Sequence, residues 1–189
     1  MTTQPRLISL LIAGLSFLFI SLSAQNTSDT RLMHTPTISD DNIAFIYAED
    51  LWVAEKDGSN PRRLTIDEGI ESNPVFSPDG SMIAFSAEYD GNRDIFIVPS
   101  TGGVPKRLTW HPAWDLTLDF TPDGKHVLFS SPRTTFTGNY AQLYTVSIDG
   151  GQPTKLPIPT GFSGTYSSDG KYLAYAPNFE VFNQWKHYR

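Results

Sequence analysis

The chain has 189 residues, a net charge of −6 and a pI near 5.1. This acidic balance argues against binding to nucleic acid or to an anionic membrane surface. The sequence contains no cysteine, which excludes disulfides, thiolate metal sites and a cysteine nucleophile in this chain. Its 14 glycines and 14 prolines recur at regular intervals, so they indicate frequent turns rather than disorder.

The first residues predict a secretory signal peptide. Arg6 and the amino terminus supply positive charge, residues 7–22 are largely apolar, and small residues follow as far as Ala24. An apolar run of 16 residues is shorter than the roughly 20 that a membrane-spanning helix needs, so we expect cleavage rather than anchoring. We therefore interpret residues 1–24 as a signal peptide and residues 25–32 as a flexible leader. These segments predict a periplasmic or secreted protein with no membrane attachment after cleavage.

A repeated turn organises the rest of the chain, residues 33–189. Ser-Pro-Asp-Gly at residues 77–80 returns as Thr-Pro-Asp-Gly at 121–124 and as Ser-Ser-Asp-Gly at 167–170, with the aspartates 44 and 46 residues apart. Proline presets φ for the turn, aspartate can bond back to the backbone, and glycine adopts the left-handed conformation. A run of mostly apolar, strand-like residues follows each turn. Short strands repeating at about this period are typical of a β-propeller with one blade per repeat.

A second pattern keeps the same period. Three strand-like segments each lead into a glycine-containing turn, then a proline, a basic residue and a leucine. The leucines lie 44 and 48 residues apart, and they are Leu64, Leu108 and Leu156. Because several offsets agree at once, we treat the repeat as strong evidence for the propeller.

The two patterns together predict an all-β fold of four-stranded antiparallel blades. We place the blades at about residues 34–65, 72–109 and 116–156, with a truncated fourth blade at residues 164–189. About three and a half blades would leave an exposed strand edge, which native proteins normally cover. We therefore expect the sequence to be the start of a longer protein; the alternative is a divergent, self-contained sheet protein.

Candidate catalytic and metal-binding motifs are weak. Gly-Phe-Ser-Gly at residues 161–164 is similar to a nucleophile elbow, but it lacks the second glycine in its place and a strand-to-helix context. No two of the four histidines have a metal-ligand spacing. Residues 90–94 place oxygens at alternate positions, as a calcium loop does, but the required glycine and bidentate glutamate are missing. We assign no catalytic residue, cofactor or metal site, and we predict that this chain alone hydrolyses nothing.

The best candidate for a binding surface is the loop Trp-His-Pro-Ala-Trp-Asp at residues 110–115. It connects the outer strand of the second blade to the inner strand of the third, and such loops can line one mouth of a propeller. Trp110 and Trp114 are therefore candidate contacts for a peptide or a sugar. The alternative is that one or both tryptophans fill the groove between blades.

The repeats also resemble a known family. The run from Phe-Ser-Pro-Asp-Gly at residues 76–80 to Arg-Leu-Thr at 107–109 is similar to repeats of the Tol-system propeller protein and of the amino-terminal six-bladed propeller of tricorn-type proteases. Two features favour the tricorn type: the repeats begin directly after the signal peptide, and Phe-Asn-Gln-Trp-Lys-His-Tyr-Arg at residues 182–189 resembles a tricorn-family insertion.

The resemblance implies a function for a longer parent protein. That parent would be an exported serine peptidase that degrades short peptides, with its catalytic core later in the chain and the propeller gating or guiding peptides. No catalytic residue of the family falls on this sequence. Two alternatives stay open: a non-catalytic propeller that docks a protein partner, and the propeller of a prolyl-peptidase-type hydrolase. Homo-oligomerisation of the parent also stays open.

Overall fold

The computed structural model describes residues 32–135 and 140–177. The predicted signal peptide, almost all of the leader, and the predicted end of the fourth blade lie outside the described residues. The part of the chain that the structure describes is built from strands, turns and loops, and it has no helix that is long and apolar enough to cross a membrane.

The strands form four antiparallel sheets, and within each sheet they are paired in chain order. The first sheet contains β1 (Met33–Ile38), β2 (Asn42–Tyr47), β3 (Asp50–Glu55) and β4 (Arg62–Arg63). The second contains β5 (Glu71–Phe76), β6 (Met82–Ala87), β7 (Asp94–Pro99) and β8 (Lys106–Arg107). The third contains β9 (Leu116–Phe120), β10 (His126–Ser131), β11 (Gln142–Ser147) and β12 (Thr154–Lys155). The fourth contains β13 (Ser163–Tyr166) and β14 (Leu173–Ala176).

The inner strands of neighbouring sheets contact one another, so β1 lies beside β5, β5 beside β9, and β9 beside β13. The described sheets follow one another around an axis without closing into a ring. This arrangement confirms the predicted all-β fold, with three four-stranded antiparallel blades and part of a fourth.

The hydrophobic core lies between the sheets. Strand β6 shows why its sequence is apolar at successive positions: Ile83 and Phe85 pack toward the first sheet, whereas Ala84 packs toward the third. Both faces of a middle blade are covered, so its strands do not show the polar-apolar alternation of a half-exposed sheet. A stacked ring pair within the blade recurs in the second and third blades, with centroids 5.8 Å apart for Phe85 and Phe96 and 5.6 Å apart for Phe129 and Tyr144.

The repeated turns have the geometry that their sequence predicts. Gly80 and its two equivalents, Gly124 and Gly170, have φ values of 70°, 69° and 71°, in the left-handed region that glycine occupies without a steric penalty. In the first of these turns, the hydroxyl of Ser77 donates to Asp79 Oδ1 at 2.5 Å and accepts from the backbone N–H of Met82 at 3.0 Å. The repeat is therefore a structural device that joins the first two strands of the second, third and fourth blades.

Candidate binding site

All blade-to-blade connections lie at one end of the sheets, which we call the crossover end. The loops from β2 to β3, β6 to β7 and β10 to β11 lie at the same end, because strands alternate in direction within each sheet. Backbone bonds join these loops across blade boundaries: Glu71 N–H donates to Glu49 O at 3.1 Å, and Asp115 N–H donates to Arg93 O at 2.8 Å. The crossover end is therefore one continuous surface. The Ser-Pro-Asp-Gly turns lie at the opposite end, the turn end.

A buried carboxylate joins the first two blades at the crossover end. Glu71, at the start of β5, is fully buried. Its Oε2 accepts from Leu51 N–H and from the Thr65 hydroxyl, both at 2.5 Å, and its Oε1 accepts from the Tyr89 hydroxyl at 2.5 Å. Burial raises the pKa of Glu71, and these three hydrogen bonds oppose the rise.

Tyr89 belongs to the same junction. Its pKa is raised by burial first, then by the hydrogen bond to Glu71, and then by the charges of Glu71, Asp67 and Asp50. Tyr89 therefore stays protonated and donates to the carboxylate. The loop at residues 66–70 lies beside Tyr89, because a Cβ added at Gly69 would be 2.9 Å from Tyr89 Cδ1.

The junction between the second and third blades repeats this arrangement with a different partner. Asp115 is fully buried, and its Oδ2 accepts from Arg133 Nη2 at 2.5 Å. Burial raises the pKa of Asp115, and the hydrogen bond and charge of Arg133 oppose the rise. The Arg133 guanidinium also lies 5.0 Å from the Phe129 ring centroid and 5.1 Å from that of Tyr144, so it is held by packing as well as by charge.

The structure separates the two candidate tryptophans. Trp110 is 65% exposed, and its ring lies 5.7 Å from the Arg107 guanidinium carbon. Arg107 is itself fixed by ion pairs to Asp94 at 2.5 Å and to Asp90 at 2.7 Å. Trp110 therefore lies against a surface ion-pair network and not in the groove between blades.

Trp114 is half-buried and lines a cavity of about 320 Å³ at the crossover end. We call this the Trp114 cavity, and its lining residues are Glu88, Arg93, Trp114 and Leu116. Arg93 Nη2 and Glu88 Oε1 form an ion pair at 2.5 Å on its wall. The cavity lies between the β6–β7 loop and the start of β9, and its volume is at the low end for small-ligand pockets.

A second cavity, of about 480 Å³, lies at the turn end near the inner strands. It is mostly polar, and Ser39, Lys56 and Asp119 are among its lining residues. Asp119 Oδ2 accepts from the Thr165 hydroxyl at 2.6 Å and from Tyr166 N–H at 3.0 Å. This carboxylate is thus already used to join the third and fourth blades.

The weak catalytic motifs acquire no catalytic geometry in the described residues. Ser163 is the first residue of β13 and is exposed, and no histidine hydrogen-bonds to it in this part of the chain. His111 Nδ1 accepts from Ala113 N–H at 3.0 Å, an arrangement that is local to its own loop. Within residues 32–135 and 140–177, no group of three or more histidines and carboxylates is placed to hold a metal ion.

The sequence interpretation missed the buried acids. Glu71 and Asp115 are 44 residues apart, which is the repeat period, and each precedes or begins an inner strand. That spacing indicates that the two acids occupy equivalent positions in neighbouring blades. A carboxylate at a strand start is usually exposed, however, and only the packing of two neighbouring blades buries it.

Comparison with known proteins agrees with this geometry. The family model described as the tricorn protease N-terminal beta propeller domain matches residues 30–189. The chain belongs to this family. One curated relative, a putative tricorn protease homolog 2 from Streptomyces coelicolor, is 39% identical over 56 residues, which is 29% of this chain and 5% of the relative. Another, the Tol-Pal system protein TolB from Desulfosudis oleivorans, is 35% identical over 69 residues, which is 34% of this chain and 16% of the relative.

Solved structures give the same fold. A putative TolB from Agrobacterium tumefaciens superposes with a TM-score of 0.65 at 24% identity, over 76% of this chain and 53% of that one. The tricorn protease superposes with the same TM-score, 0.65, at 24% identity, over 74% of this chain and 14% of that one. This propeller therefore spans only a minor part of the tricorn protease chain and of both curated relatives.

Proposed function

We propose that this propeller is the amino-terminal module of an exported, tricorn-like serine peptidase, in which it gates or guides short peptides to a catalytic core outside this chain. The observation that carries the proposal is the family match over residues 30–189. The module would act through its shape, because its rigid blades present the crossover end as a surface that contacts peptides. Trp110 and Trp114 are the proposed peptide contacts on that end.

Export is part of the proposal. The charge and apolar run of residues 1–24 support a signal peptide, and the similarity to a protein of the Tol-Pal system supports a location outside the cytoplasm. We propose residues 25–32 as the leader and residues 33–189 as the propeller segment, with blades near residues 34–65, 72–109, 116–156 and 164–189.

The first experiment is to isolate the native gene product from a periplasmic extract and to measure its intact mass and its activity on short peptides. We expect a mass several times the 21.0 kDa of this chain, together with hydrolysis of peptides of a few residues but not of a folded protein. The purified 189-residue chain should hydrolyse neither substrate. Peptide turnover by that chain, unaffected by Ser163→Ala, would overturn the proposal.

The second candidate is a non-catalytic binding module that docks a protein partner. The similarity to the two TolB proteins favours it, since one of them matches this chain as closely in fold as the tricorn protease does. A native product near the mass of this chain without its leader, inactive on peptides, would support it. A prolyl-peptidase-type parent would instead show a Gly-x-Ser-x-Gly motif in the longer sequence.

A further inference from the structure

We propose that the Trp114 cavity receives an apolar side chain from a peptide segment that carries a basic residue next to it. This inference rests on the proposed function, because it takes peptides as the ligand class. It adds the place of contact and the chemistry that selects the peptide.

The walls of the cavity favour an apolar group. Trp114 and Leu116 supply apolar surface on the β9 side. The charged groups on the opposite side, Arg93 and Glu88, are paired at 2.5 Å and neutralise each other. A charged ligand group would have to compete with that pair, whereas an apolar side chain only displaces water from the indole and leucine surfaces.

The adjoining loop supplies charge of one sign. Glu88 N–H donates to Ile70 O at 3.1 Å, so the loop at residues 66–70 lies next to Glu88, which lines the cavity. Asp67 and Glu68 in this loop are exposed, and within residues 32–135 and 140–177 neither forms an ion pair. The nearby arginines are already committed to other carboxylates: Arg63 to Asp50, Arg93 to Glu88, and Arg107 to Asp90 and Asp94. The uncompensated charge beside the cavity is therefore negative and complements a basic residue.

Exposed apolar side chains repeat along the same end. Ile66 is 80% exposed and Trp110 is 65% exposed, and the two residues are 44 positions apart, each at the second position after the repeat leucine. Ile70, in the same loop as Ile66, is also exposed, at 45%. Large apolar groups that recur on one end of a surface indicate an interaction face rather than isolated exposure. An extended peptide lying across this face would meet both loops.

The test uses the full chain and three blocked peptides, acetyl-Lys-Phe-Lys-amide, acetyl-Glu-Phe-Glu-amide and acetyl-Lys-Ala-Lys-amide, titrated by isothermal calorimetry at low salt. We expect the first peptide to bind at least about tenfold more tightly than either of the others, because only it supplies both features. Trp114→Ala should weaken its binding by about tenfold, as removal of an aromatic anchor does.

A double charge reversal, Asp67→Lys with Glu68→Lys, tests the selection of charge on exposed side chains, where the fold is not at risk. It should also weaken binding of the Lys-Phe-Lys peptide by about tenfold. Matched controls lie at the turn end: Tyr172→Ala removes a 74% exposed aromatic ring, and Asp40→Lys with Asp41→Lys reverses another exposed acidic pair. Both controls should leave the affinity within about twofold.

Equal affinity for the three peptides, absence of binding by the wild-type chain, or equal effects of Trp114→Ala and Tyr172→Ala would each overturn the inference. The proposed function has a separate readout, which is peptide hydrolysis by the native product. If the native product hydrolyses short peptides with the same kcat/KM before and after Trp114→Ala, the cavity assignment is wrong and the peptidase proposal stands.

Discussion

Replacing Glu71 with alanine should lower the free energy of unfolding by about 2–4 kcal/mol. The carboxylate accepts three hydrogen bonds in a fully buried position between two blades. Leu51 N–H keeps a second acceptor, Thr65 Oγ1 at 3.0 Å, so its loss is partial. The Tyr89 hydroxyl loses its acceptor. Hydrogen bonds to a charged group contribute about 1.5–3 kcal/mol each, and the net loss is smaller than their sum because the variant no longer buries a charge.

The pH dependence of the free energy of unfolding distinguishes the effect of the Glu71 hydrogen bonds from the effect of its buried charge. Burial raises the pKa of Glu71 above its usual 4.5, so the folded chain binds this proton more tightly than the unfolded chain does. The stability that the folded chain gains from binding this proton is fully present below pH 4.5, and it is lost as the pH rises through the folded-state pKa of Glu71. Glu71→Gln keeps most of the side-chain volume without the charge, so it should remove this slope and lose less stability at pH 7 than Glu71→Ala.

The measurement is urea unfolding followed by circular dichroism between pH 4 and pH 8, with m-values compared to ensure that the unfolding transition is the same. Asp67→Ala is the matched control, since this carboxylate is exposed in the adjoining loop and its loss should change stability by less than about 0.5 kcal/mol. A loss below about 1 kcal/mol for Glu71→Ala, or an unchanged pH slope for Glu71→Gln, would show that the buried carboxylate does not hold the junction as we reason.

Three further predictions concern other parts of the chain. Hydrogen bonds from the Ser77 hydroxyl, and then from the backbone N–H and hydroxyl of Ser81, lower the pKa of Asp79 from 3.8 to about 2. The ionised carboxylate therefore stabilises the fold fully above pH 3.8, and this stabilisation is lost as the pH falls through 2. Asp79→Asn should reduce the loss of stability between pH 4 and pH 2 in the same kind of urea titration. Gly161→Ala should cost about 1–3 kcal/mol in urea unfolding, because its Cβ would lie 2.6 Å from Leu143 Cγ, and a double-mutant cycle with Leu143→Ala should show coupling. Tyr175 is 42% exposed on β14, which pairs with β13 but has no strand on its outer edge within the described residues. It should promote self-association, so Tyr175→Lys should lower the mass measured by sedimentation velocity; an unchanged distribution would contradict this.

The repeat could be predicted from sequence because its chemistry is local. A proline, an aspartate and a glycine in adjacent positions determine the turn before any tertiary contact forms, and Gly80 adopts the φ of 70° that this chemistry requires. The strands could be predicted from sequence for a related reason. Strand β6 is buried on both faces, so its residues are apolar almost without interruption. Local turns and continuous apolar runs together were enough to predict the blades.

The blade junctions could not be predicted in this way, because their character depends on neighbours that are distant in sequence. The first two junctions bury Glu71 and Asp115. At the third, Gly161 takes the equivalent place: its N–H donates to Ala141 O in the preceding blade at 2.9 Å, just as the N–H groups of Glu71 and Asp115 donate to the corresponding loops of the blades before them. The Leu143 side chain fills the space that a longer side chain would occupy there. The same position in the repeat is therefore polar at two junctions and apolar at the third.

The two tryptophans illustrate a similar limit. Trp110 and Trp114 are four positions apart in one loop, and sequence alone gives no reason to treat them differently. Arg107, fixed by two carboxylates, provides a stacking surface for Trp110, whereas Trp114 faces the neighbouring β6–β7 loop. The directions of their side chains are set by partners outside the loop, which is why the pattern predicts a candidate surface but not which ring lines a cavity.

The fold does not decide between the two proposed functions. A TolB structure and the tricorn protease superpose on this chain with the same TM-score, 0.65, and the same identity, 24%. The features that produce this similarity are the buried strands and the turns, and any function would need both. What can differ between a peptide gate and a protein-docking module is the exposed chemistry of the crossover end, where Ile66, Asp67, Glu68 and Trp110 lie. Because these side chains are exposed, substitutions there should leave the blades intact. Any change that they cause in peptide binding or hydrolysis would then report on function and not on the fold.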